Sequence, residues 1–383
     1  MPNSSLPAWP HVPRAALAKR YLVPVLEFGI RALTLFAGRG IGKTAFILED
    51  LIPLARQHHF LCVYVDLWEC PEGPTVGIAR ALEAAAARGK TAKGAALVRT
   101  ARRILPASLS EAGAEVAVFG QKARLKLGFR SQSGMQAQHG ERLLAAFEGL
   151  VKAAGKQQIL LVLDEAQTLA SPSHEALVKA LRACFQRYDA QLVRVFTGSS
   201  RMGLECMFRR SRAPLFGQGG NVETFPPLGQ EFVKEIARWF ADRTGGAVLG
   251  ERAASEGFAK LRYSARLFRA AVEALLVGRA PHIAAACQAV MHDLVEDHEL
   301  KARLTQLSDV QWAVLRLVWG QGRDLFGANT LAGLSQQFGR AVEPTQVQTA
   351  LKRLERLEFI YRLEHGEYRV ELPELEIILE NLN

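Results

Sequence analysis

Three glycines at alternate positions, followed by a lysine and a threonine, form the most chemically specific pattern in the sequence. They lie in the segment Ala37–Thr44, which has P-loop spacing with alanine at the first glycine position. Glycines let backbone N–H groups turn inward around phosphate oxygens, which side chains would obstruct. The lysine supplies a point charge for phosphate, and the threonine hydroxyl suits Mg²⁺. The predicted phosphate-binding residues are Ala37, Gly38, Arg39, Gly40, Ile41, Gly42, Lys43 and Thr44.

Two carboxylates follow the apolar run Ile159–Leu163. Ligands of open α/β sheets bind at the carboxyl ends of the strands, which is where this run would place the pair. Asp164 is suited to hold the Mg²⁺ shell, directly or through water, and Glu165 to orient and activate an attacking water. Together with the P-loop, the pair predicts that ATP is bound with Mg²⁺ and hydrolysed, rather than only sensed.

Polar residues also follow the next apolar run, Leu192–Phe196. A hydroxyl at this strand end can bond the γ-phosphate or the attacking water, so Thr197 or Ser199 is the candidate sensor. Further along, Arg266 and Arg269 lie one helical turn apart and can close over the phosphates from a lid. Surface ion pairs are the alternative interpretation of these two arginines.

The catalytic residues must be positioned by alternating strands and helices. Each predicted strand is apolar on both faces and is followed by helical periodicity, which indicates a parallel sheet between helices. The predicted fold class is an α/β P-loop NTPase sheet sandwiched by helices, followed by a helical lid and a C-terminal winged helix. The predicted strands are Ala32–Phe36, Phe60–Asp66, Gln158–Leu163 and Leu192–Phe196.

The chain of 383 residues divides into segments of different composition. Residues 1–13 are proline-rich and predict a flexible lead-in. Residues 14–228 hold the alternating pattern and form the predicted ATPase core. Strand signals then cease, so 229–305 is the predicted helical lid. Residues 306–383 contain three helical periodicities and a glycine-turned hairpin, which is the outline of a winged helix.

The net charge of +10 is concentrated in a predicted insertion of the core. Residues 86–130 contain ten basic and two acidic residues (10 − 2 = +8), and alternation over 116–127 predicts a hairpin. A solvated basic face and a surface for a polyanion such as duplex DNA both fit this charge. Residues 306–383 carry eight basic and eleven acidic residues (8 − 11 = −3).

The last helix of the predicted winged helix, Pro344–Leu357, has residue types that read base edges. Its apolar positions Val347, Leu351 and Leu354 are expected to face inward, and Arg362 and Arg369 of the wing can flank phosphates. A DNA contact is one interpretation, and a protein-docking or purely structural domain is the other. The outward positions are Gln346, Gln348, Thr349, Lys352, Arg353 and Arg356.

Several classes of protein are disfavoured by composition. No apolar run reaches the roughly 18 residues of a membrane span, and the N-terminus lacks the pattern of a secretory signal. The five cysteines lie far apart without metal-ligand spacing, so neither zinc nor a disulfide framework is expected. The sequence is expected to be cytoplasmic and to have no membrane partner.

Several motifs together resemble the archaeal-type P-loop ATPases, a branch close to the signal-transducing STAND ATPases. The sequence is more distantly similar to origin-recognition and Cdc-type replication initiators and to ATPases that regulate transposition. The resemblance implies an AAA+-like order of ATPase core, lid and winged helix. The matching segments are Gly38–Thr44, Val63–Asp66, Leu161–Ala166, Phe196–Ser200 and Ala213–Gly217.

The resemblance breaks down at two places. An arginine finger is an arginine that one subunit supplies to the γ-phosphate of its neighbour. Family members with the pattern Pro-Leu-Tyr-Gly-Arg have an arginine where this chain has Gln218, so we expect the finger at an earlier position. The lid pattern Gly-Gly-x-Pro is replaced by Tyr263–Phe268. The finger candidates are Arg209, Arg210 and Arg212, of which Arg210 is preferred; a solvated basic loop is the alternative.

Two functions follow from the sequence. The first is an ATPase whose nucleotide state controls oligomerisation and duplex DNA binding, in replication, transposition or mobile-element movement. The second is a STAND-like signalling or defence switch that acts through protein partners without DNA. The basic insertion favours the first function, and the acidic terminal domain favours the second.

Overall fold

A parallel sheet forms the centre of the molecule. The computed structural model describes residues 9–70, 72–102, 132–209, 211, 213–296, 298–362 and 367–381. Within these ranges the core strands are β1 (Ala32–Phe36), β2 (Leu61–Asp66), β3 (Ile159–Asp164), β4 (Leu192–Gly198) and β5 (Val222–Thr224). They pair in the order β2-β3-β4-β1-β5, all parallel. The predicted α/β fold class is confirmed, and β5 is an additional strand that the sequence did not reveal.

Helices cover both faces of the sheet. One face packs against α1 (Ala15–Phe28) and the helix after the P-loop, and the other against a second set of helices. Along β3, Leu160 and Val162 belong to the first cluster and Leu161 and Leu163 to the second, which is why the strand is apolar throughout. The second set is α4 (Pro74–Arg102), α5 (Gln132–Ala154), α6 (Glu175–Arg187) and α7 (Arg201–Phe208).

The helix after the P-loop is not uniform. It consists of α2 (Lys43–Phe46), a π-helical turn (Ile47–Leu51) and α3 (Ile52–Gln57). The wider turn places Asp50 inward, where it is buried. The Oδ1 atom of Asp50 accepts from the backbone N–H of Arg14 at 2.9 Å. The turn therefore ties the start of the core to the helix that begins at the P-loop.

A helical segment follows the core and has its own apolar cluster. It covers the predicted lid and is called the lid below. The first described residues pack on this lid: Trp9 stacks on Trp239 with ring centroids 4.4 Å apart. Residues 1–13 were predicted to be a flexible lead-in, but residues 9–12 contact the lid because two large aromatic rings bury each other. The lid helices are α8 (Gln230–Arg243), α9 (Glu251–Lys260), α10 (Ala265–Leu276) and α11 (Ile283–Val295).

The C-terminal segment contains the predicted helices and an antiparallel pair of strands. Val347, Leu351 and Leu354 are buried in its core, as the periodicity of the helix predicts. The predicted hairpin turn lies at 363–366, outside the described residues. The elements are α12 (His298–Leu304), α13 (Asp309–Gly320), α14 (Ala328–Phe338), α15 (Pro344–Arg356), β6 (Ile360–Arg362), β7 (Tyr368–Val370) and α16 (Pro373–Asn381).

The last helix, α16, joins the C-terminal segment to the lid. Ile377 lies in the apolar cluster of the lid, whereas Ile378 lies in the cluster of the C-terminal segment. Arg262, two residues after α9, pairs with Glu376 at 3.2 Å and with Glu380 at 3.0 Å. The lid and the C-terminal segment are therefore held together by both apolar burial and ion pairs.

The C-terminal segment also contacts the core at Glu371. This carboxylate is buried, and its Oε1 atom accepts from the backbone N–H of Arg201 at 2.8 Å, at the start of α7. Burial raises the pKa of the Glu371 carboxyl to about 8. Nearby, the Tyr361 ring meets the Phe36 ring edge-on at 5.1 Å, just before the P-loop.

The raised pKa of Glu371 predicts a pH-dependent stability. The folded chain binds a proton that the unfolded chain lacks between the ordinary pKa of 4.5 and about 8, so Glu371 lowers stability as pH rises through that window. Glu371→Gln cannot ionise, and it should gain on the order of a few kcal/mol over wild type between pH 5 and pH 8.5. Urea unfolding at both pH values checks this. An equal difference at the two pH values contradicts it.

Candidate active site

The P-loop connects β1 to α2 at the carboxyl edge of the sheet. The backbone N–H of Ala37 donates to the carbonyl of Gly198 at 3.3 Å, so the first loop residue continues the strand pairing and does not need to be glycine. Gly40 and Gly42 have φ angles of 76° and 95°, which favour glycine. The tolerance of alanine at the first position thus has a local structural reason.

Lys43 projects into the loop that precedes it. Its Nζ donates to the carbonyl of Ala37 at 2.5 Å and to that of Gly38 at 3.4 Å. Burial lowers the pKa of Lys43, while the carboxylates of Glu165 and Asp164 act in the opposite direction. The ammonium group is therefore held among loop carbonyls and two acidic side chains, where a phosphate oxygen can exchange for a carbonyl.

Asp164 is fully buried at the end of β3 and accepts from three hydroxyl groups. The hydroxyls of Thr44 and Tyr64 donate to its Oδ2 atom at 2.8 Å and 2.9 Å, and Thr197 donates to Oδ1. The parallel register of β3 between β2 and β4 brings the donors on these strands together. Tyr64 was not predicted from the sequence, although it lies on a predicted strand.

Glu165 has a separate set of partners. It adopts a left-handed backbone with φ 52° and lines the cavity. Its Oε2 atom accepts from the Ser199 hydroxyl at 2.7 Å and from Nε2 of Gln167. The sequence offered Thr197 and Ser199 as alternatives for one role; the structure gives them different partners, with Thr197 on Asp164 and Ser199 on Glu165. Gln167 carried no signal in the sequence.

Thr44 and Asp164 fit a magnesium ion. Mg²⁺ binds through one or two protein oxygens together with phosphate oxygens and water. The Thr44 hydroxyl and the adjacent Asp164 Oδ2 supply such oxygens. Phosphate oxygens and water would provide the other ligands. No group of three or more His, Cys, Asp and Glu side chains that could form a metal site occurs among the described residues.

The lid touches the P-loop directly. The Arg266 backbone N–H donates to the carbonyl of Gly40 at 3.2 Å, and a Cβ at Gly40 would lie 2.8 Å from the Ser264 hydroxyl oxygen. Only glycine fits this approach. The N-terminal end of α10, which favours anions, thus lies at the phosphate loop.

Arg266 lines the cavity, as expected for a lid arginine, but it also has a partner outside the lid. Its Nη2 atom is 2.5 Å from Oε1 of Glu374 on α16. Arg269 is held elsewhere: its guanidinium lies over the rings of Trp9 and Phe232 and donates to the carbonyl of Pro10 at 3.4 Å. Arg266 is therefore better placed than Arg269 to reach a phosphate.

The cavity beside the P-loop has a volume of about 560 Å³. The core supplies one wall and lid residues, including Phe232 and Arg269, supply the other. Trp9 and Val12 also line it, although the proline-rich composition of their segment predicts only a lead-in. Its lining mixes apolar side chains with charged ones, including Arg14, Arg39, Lys43, Arg266 and Arg269. A concave site of this volume is typical of small-molecule binding.

The arginine cluster after α7 is only partly described. The Nη1 atom of Arg209, which directly follows α7, lies 3.9 Å from Oε1 of Glu205 in that helix. Arg210 and Arg212 lie outside the described residues, so the arginine finger remains a prediction.

Arg39 of the P-loop lies over the Trp68 ring, 4.0 Å from its centroid, at the cavity wall.

The sheet order, the P-loop and the carboxylate at the end of β3 define the α/β fold of the P-loop NTPases. A Walker-type ATPase from Pyrococcus abyssi is similar over 95% of this chain and 95% of its own, with a TM-score of 0.59 and 16% identity. At this identity the similarity shows the fold alone, and that fold is the one that the resemblance to archaeal-type ATPases predicts.

Two further solved structures match more weakly. Orc1 of Aeropyrum pernix in complex with DNA is 19% identical, with coverage of 100% and 95% and a TM-score of 0.42. Cdc6p of Pyrobaculum aerophilum is 15% identical, with coverage of 100% and 96% and a TM-score of 0.42. Comparison with known protein families and with curated proteins gives no match.

The ion pair between Arg266 and Glu374 predicts an effect on nucleotide affinity. In Glu374→Gln, Arg266 loses a competing anion, so ATP should bind about two- to fivefold more tightly, the range of a partly exposed ion pair. Glu380→Gln breaks a neighbouring pair outside the cavity and is the matched control. Calorimetric titration with ATP measures both. Equal affinities for wild type and Glu374→Gln would show that Arg266 does not meet the nucleotide.

Proposed function

We propose that this protein binds ATP with Mg²⁺ and hydrolyses it in an AAA+-like site. One observation carries the proposal: Lys43, Thr44, Asp164 and Glu165 meet at one sheet edge, where Thr44 bonds Asp164 at 2.8 Å. These residue types supply a phosphate cation, magnesium ligands and a base for water. The adjoining cavity of about 560 Å³ has room for a nucleotide. Phosphate release from ATP by the wild-type chain tests the proposal.

In the proposed reaction, a water oxygen bonds the γ-phosphorus while the bond from that phosphorus to the β–γ bridging oxygen breaks. ADP leaves with the electron pair of that bond, and the water proton passes to Glu165. Lys43 and Arg266 stabilise the negative charge on the phosphate oxygens. Bound magnesium would neutralise part of that charge, held by Thr44 and Asp164.

We also propose that nucleotide state controls oligomerisation and binding to duplex DNA, in a replication or mobile-element role. The +8 charge of residues 86–130 supports this; residues 103–130, with the hairpin predicted over 116–127, lie outside the described residues. The outer face of α15 supports it too, because Gln348, Thr349, Lys352 and Arg356 are exposed. Gln346 does not belong to this face, because its Oε1 atom accepts from the backbone N–H of Glu343 at 3.0 Å as a helix cap.

Neutralising the basic insertion should weaken DNA binding more than neutralising α15. Changing Lys122, Arg124 and Lys126 to alanine should cut affinity at least about tenfold and reduce the salt slope by up to about three, one per phosphate contact. The matched double variant Lys352→Ala/Arg356→Ala should lower the affinity for DNA by a smaller factor. Residues 306–383 carry a net charge of −3, which repels phosphate. Fluorescence anisotropy with random duplex DNA and ATP at several salt concentrations measures both.

The alternative is a STAND-like switch that acts on protein partners without DNA. The acidic contacts of the C-terminal segment favour it: Glu371 holds the start of α7, and Glu374 holds the lid arginine Arg266. If the wild-type chain with ATP shows no salt-sensitive DNA binding at low ionic strength, the DNA proposal is overturned and the switch is preferred.

A further inference from the structure

Gln167 lies beside the proposed base, although no sequence motif marked it. It belongs to the short 3₁₀ turn Ala166–Ala170, two residues after Glu165. Its Nε2 atom donates to the Glu165 Oε2 atom at 2.5 Å and to the Ser199 hydroxyl at 3.1 Å. Ser199 in turn donates to the same carboxylate oxygen at 2.7 Å. The amide and the hydroxyl therefore form a closed set of hydrogen bonds around one oxygen of Glu165.

The Gln167 side chain is held by two glycines. A Cβ at Gly198 would overlap the Oε1 atom of Gln167, and a Cβ at Gly203 would overlap its Cβ. The Oε1 atom is buried and has no hydrogen-bond partner among the described residues. An amide turned the other way would face the Glu165 carboxylate with its own oxygen, which is repulsive. The observed orientation is therefore fixed by both packing and charge.

Two restraints act on Glu165 at once. Its backbone is fixed in the left-handed region at φ 52°, and its Oε2 atom accepts two hydrogen bonds. The side chain still lines the cavity, so the other oxygen can receive a proton there. A base works only if it is held in line with the attacking water, and small displacements cost large factors in rate.

We propose that Gln167 is a positioning residue for ATP hydrolysis, which holds the Glu165 carboxylate in the orientation that activates water. This inference rests on the proposed function. Gln167 itself touches neither phosphate nor water; it acts through Glu165 and together with Ser199. Its loss should therefore affect turnover and leave nucleotide binding intact.

Two substitutions separate positioning from packing. Gln167→Met fills nearly the same volume between Gly198 and Gly203 but cannot donate, and kcat should fall about tenfold or more, with KM and the Kd for ATP within about twofold of wild type. Gln167→Glu has the same shape and donates only when its carboxyl is protonated. Its deficit in kcat relative to wild type should therefore shrink as pH falls from 8 to 5.5.

Several charged groups surround Gln167 and are common to all variants, so the comparison with wild type isolates position 167. They are Glu165, which Gln167 contacts directly, and Lys43 and Asp164, whose charges act on the same site. Gln186→Met, at an exposed position of α6, is the control and should keep the wild-type kcat.

The outcomes are distinct. A wild-type kcat in Gln167→Met overturns the inference, as does a deficit of Gln167→Glu that is the same at every pH. If Gln167→Met does not fold, the pH profile of the isosteric Gln167→Glu decides alone. A wild-type chain that binds ATP without hydrolysing it refutes the proposed activity first, which separates that failure from a failure of the inference.

Discussion

Replacing Lys43 by alanine should abolish measurable ATP binding. The Lys43 ammonium lies among the loop carbonyls of Ala37 and Gly38, and in the proposed complex it is the cation that meets the phosphates. Removing it leaves phosphate charge without its partner in a partly desolvated site. The Kd for ATP should rise at least about 100-fold, corresponding to about 2.7 kcal/mol. Isothermal titration calorimetry with ATP and Mg²⁺ measures the change.

Lys19→Ala is the matched control for this substitution. Lys19 is exposed on α1, so its removal changes the net charge equally without touching the loop. It should bind ATP like wild type. An unchanged Kd in Lys43→Ala would show that the P-loop does not hold the nucleotide.

Replacing Glu165 by glutamine should separate binding from hydrolysis. The amide keeps the size of the carboxylate but cannot accept the proton of the attacking water. Hydrolysis should fall by about 10² or more, the usual range for loss of a general base, while ATP affinity stays within a few-fold of wild type. Single-turnover hydrolysis of radiolabelled ATP, with binding measured on the same preparation, checks both quantities.

Glu49→Gln controls for the loss of one acidic charge. Glu49 is exposed on the π-helical turn, close to the site in sequence but turned away from it. Its turnover should match wild type. Hydrolysis by Glu165→Gln at the wild-type rate would assign the base to another residue.

Most of the fold could be predicted because the signals are local. Strands β1 to β4 are apolar on both faces and alternate with helical periodicity, so their pattern indicates a parallel sheet. Strand β5 was missed because it has three residues, of which only Val222 is buried, and so short a run has no periodicity. The role of residues 9–12 depends on the stacking of Trp9 on Trp239, two residues that are distant in sequence.

In the candidate site too, local motifs could be predicted and contacts between distant residues could not. The P-loop and the carboxylate pair are contiguous in sequence, so their residue types alone predict a site for phosphate and magnesium. The environment of Glu165 is not contiguous: Ser199 reaches it from the neighbouring strand, and Gln167 reaches it because the backbone turns at φ 52°. The pair of Arg266 and Glu374 joins the lid to the last helix. Sequence patterns predict elements, whereas such contacts follow from tertiary packing.

The chain offers no described helix that is long and apolar enough to cross a membrane. The DNA-binding comparison tests whether α15 meets duplex DNA, and the affinity of Glu374→Gln for ATP tests whether Glu374 competes for Arg266.

The central claim is that this chain hydrolyses ATP at the site formed by Lys43, Asp164 and Glu165. The most direct test is phosphate release from Mg²⁺ and ATP by purified wild-type protein and by Lys43→Ala, side by side at equal concentration. We expect saturable release by wild type and none above background by Lys43→Ala. Equal release by the two proteins, or none by either, would contradict the claim.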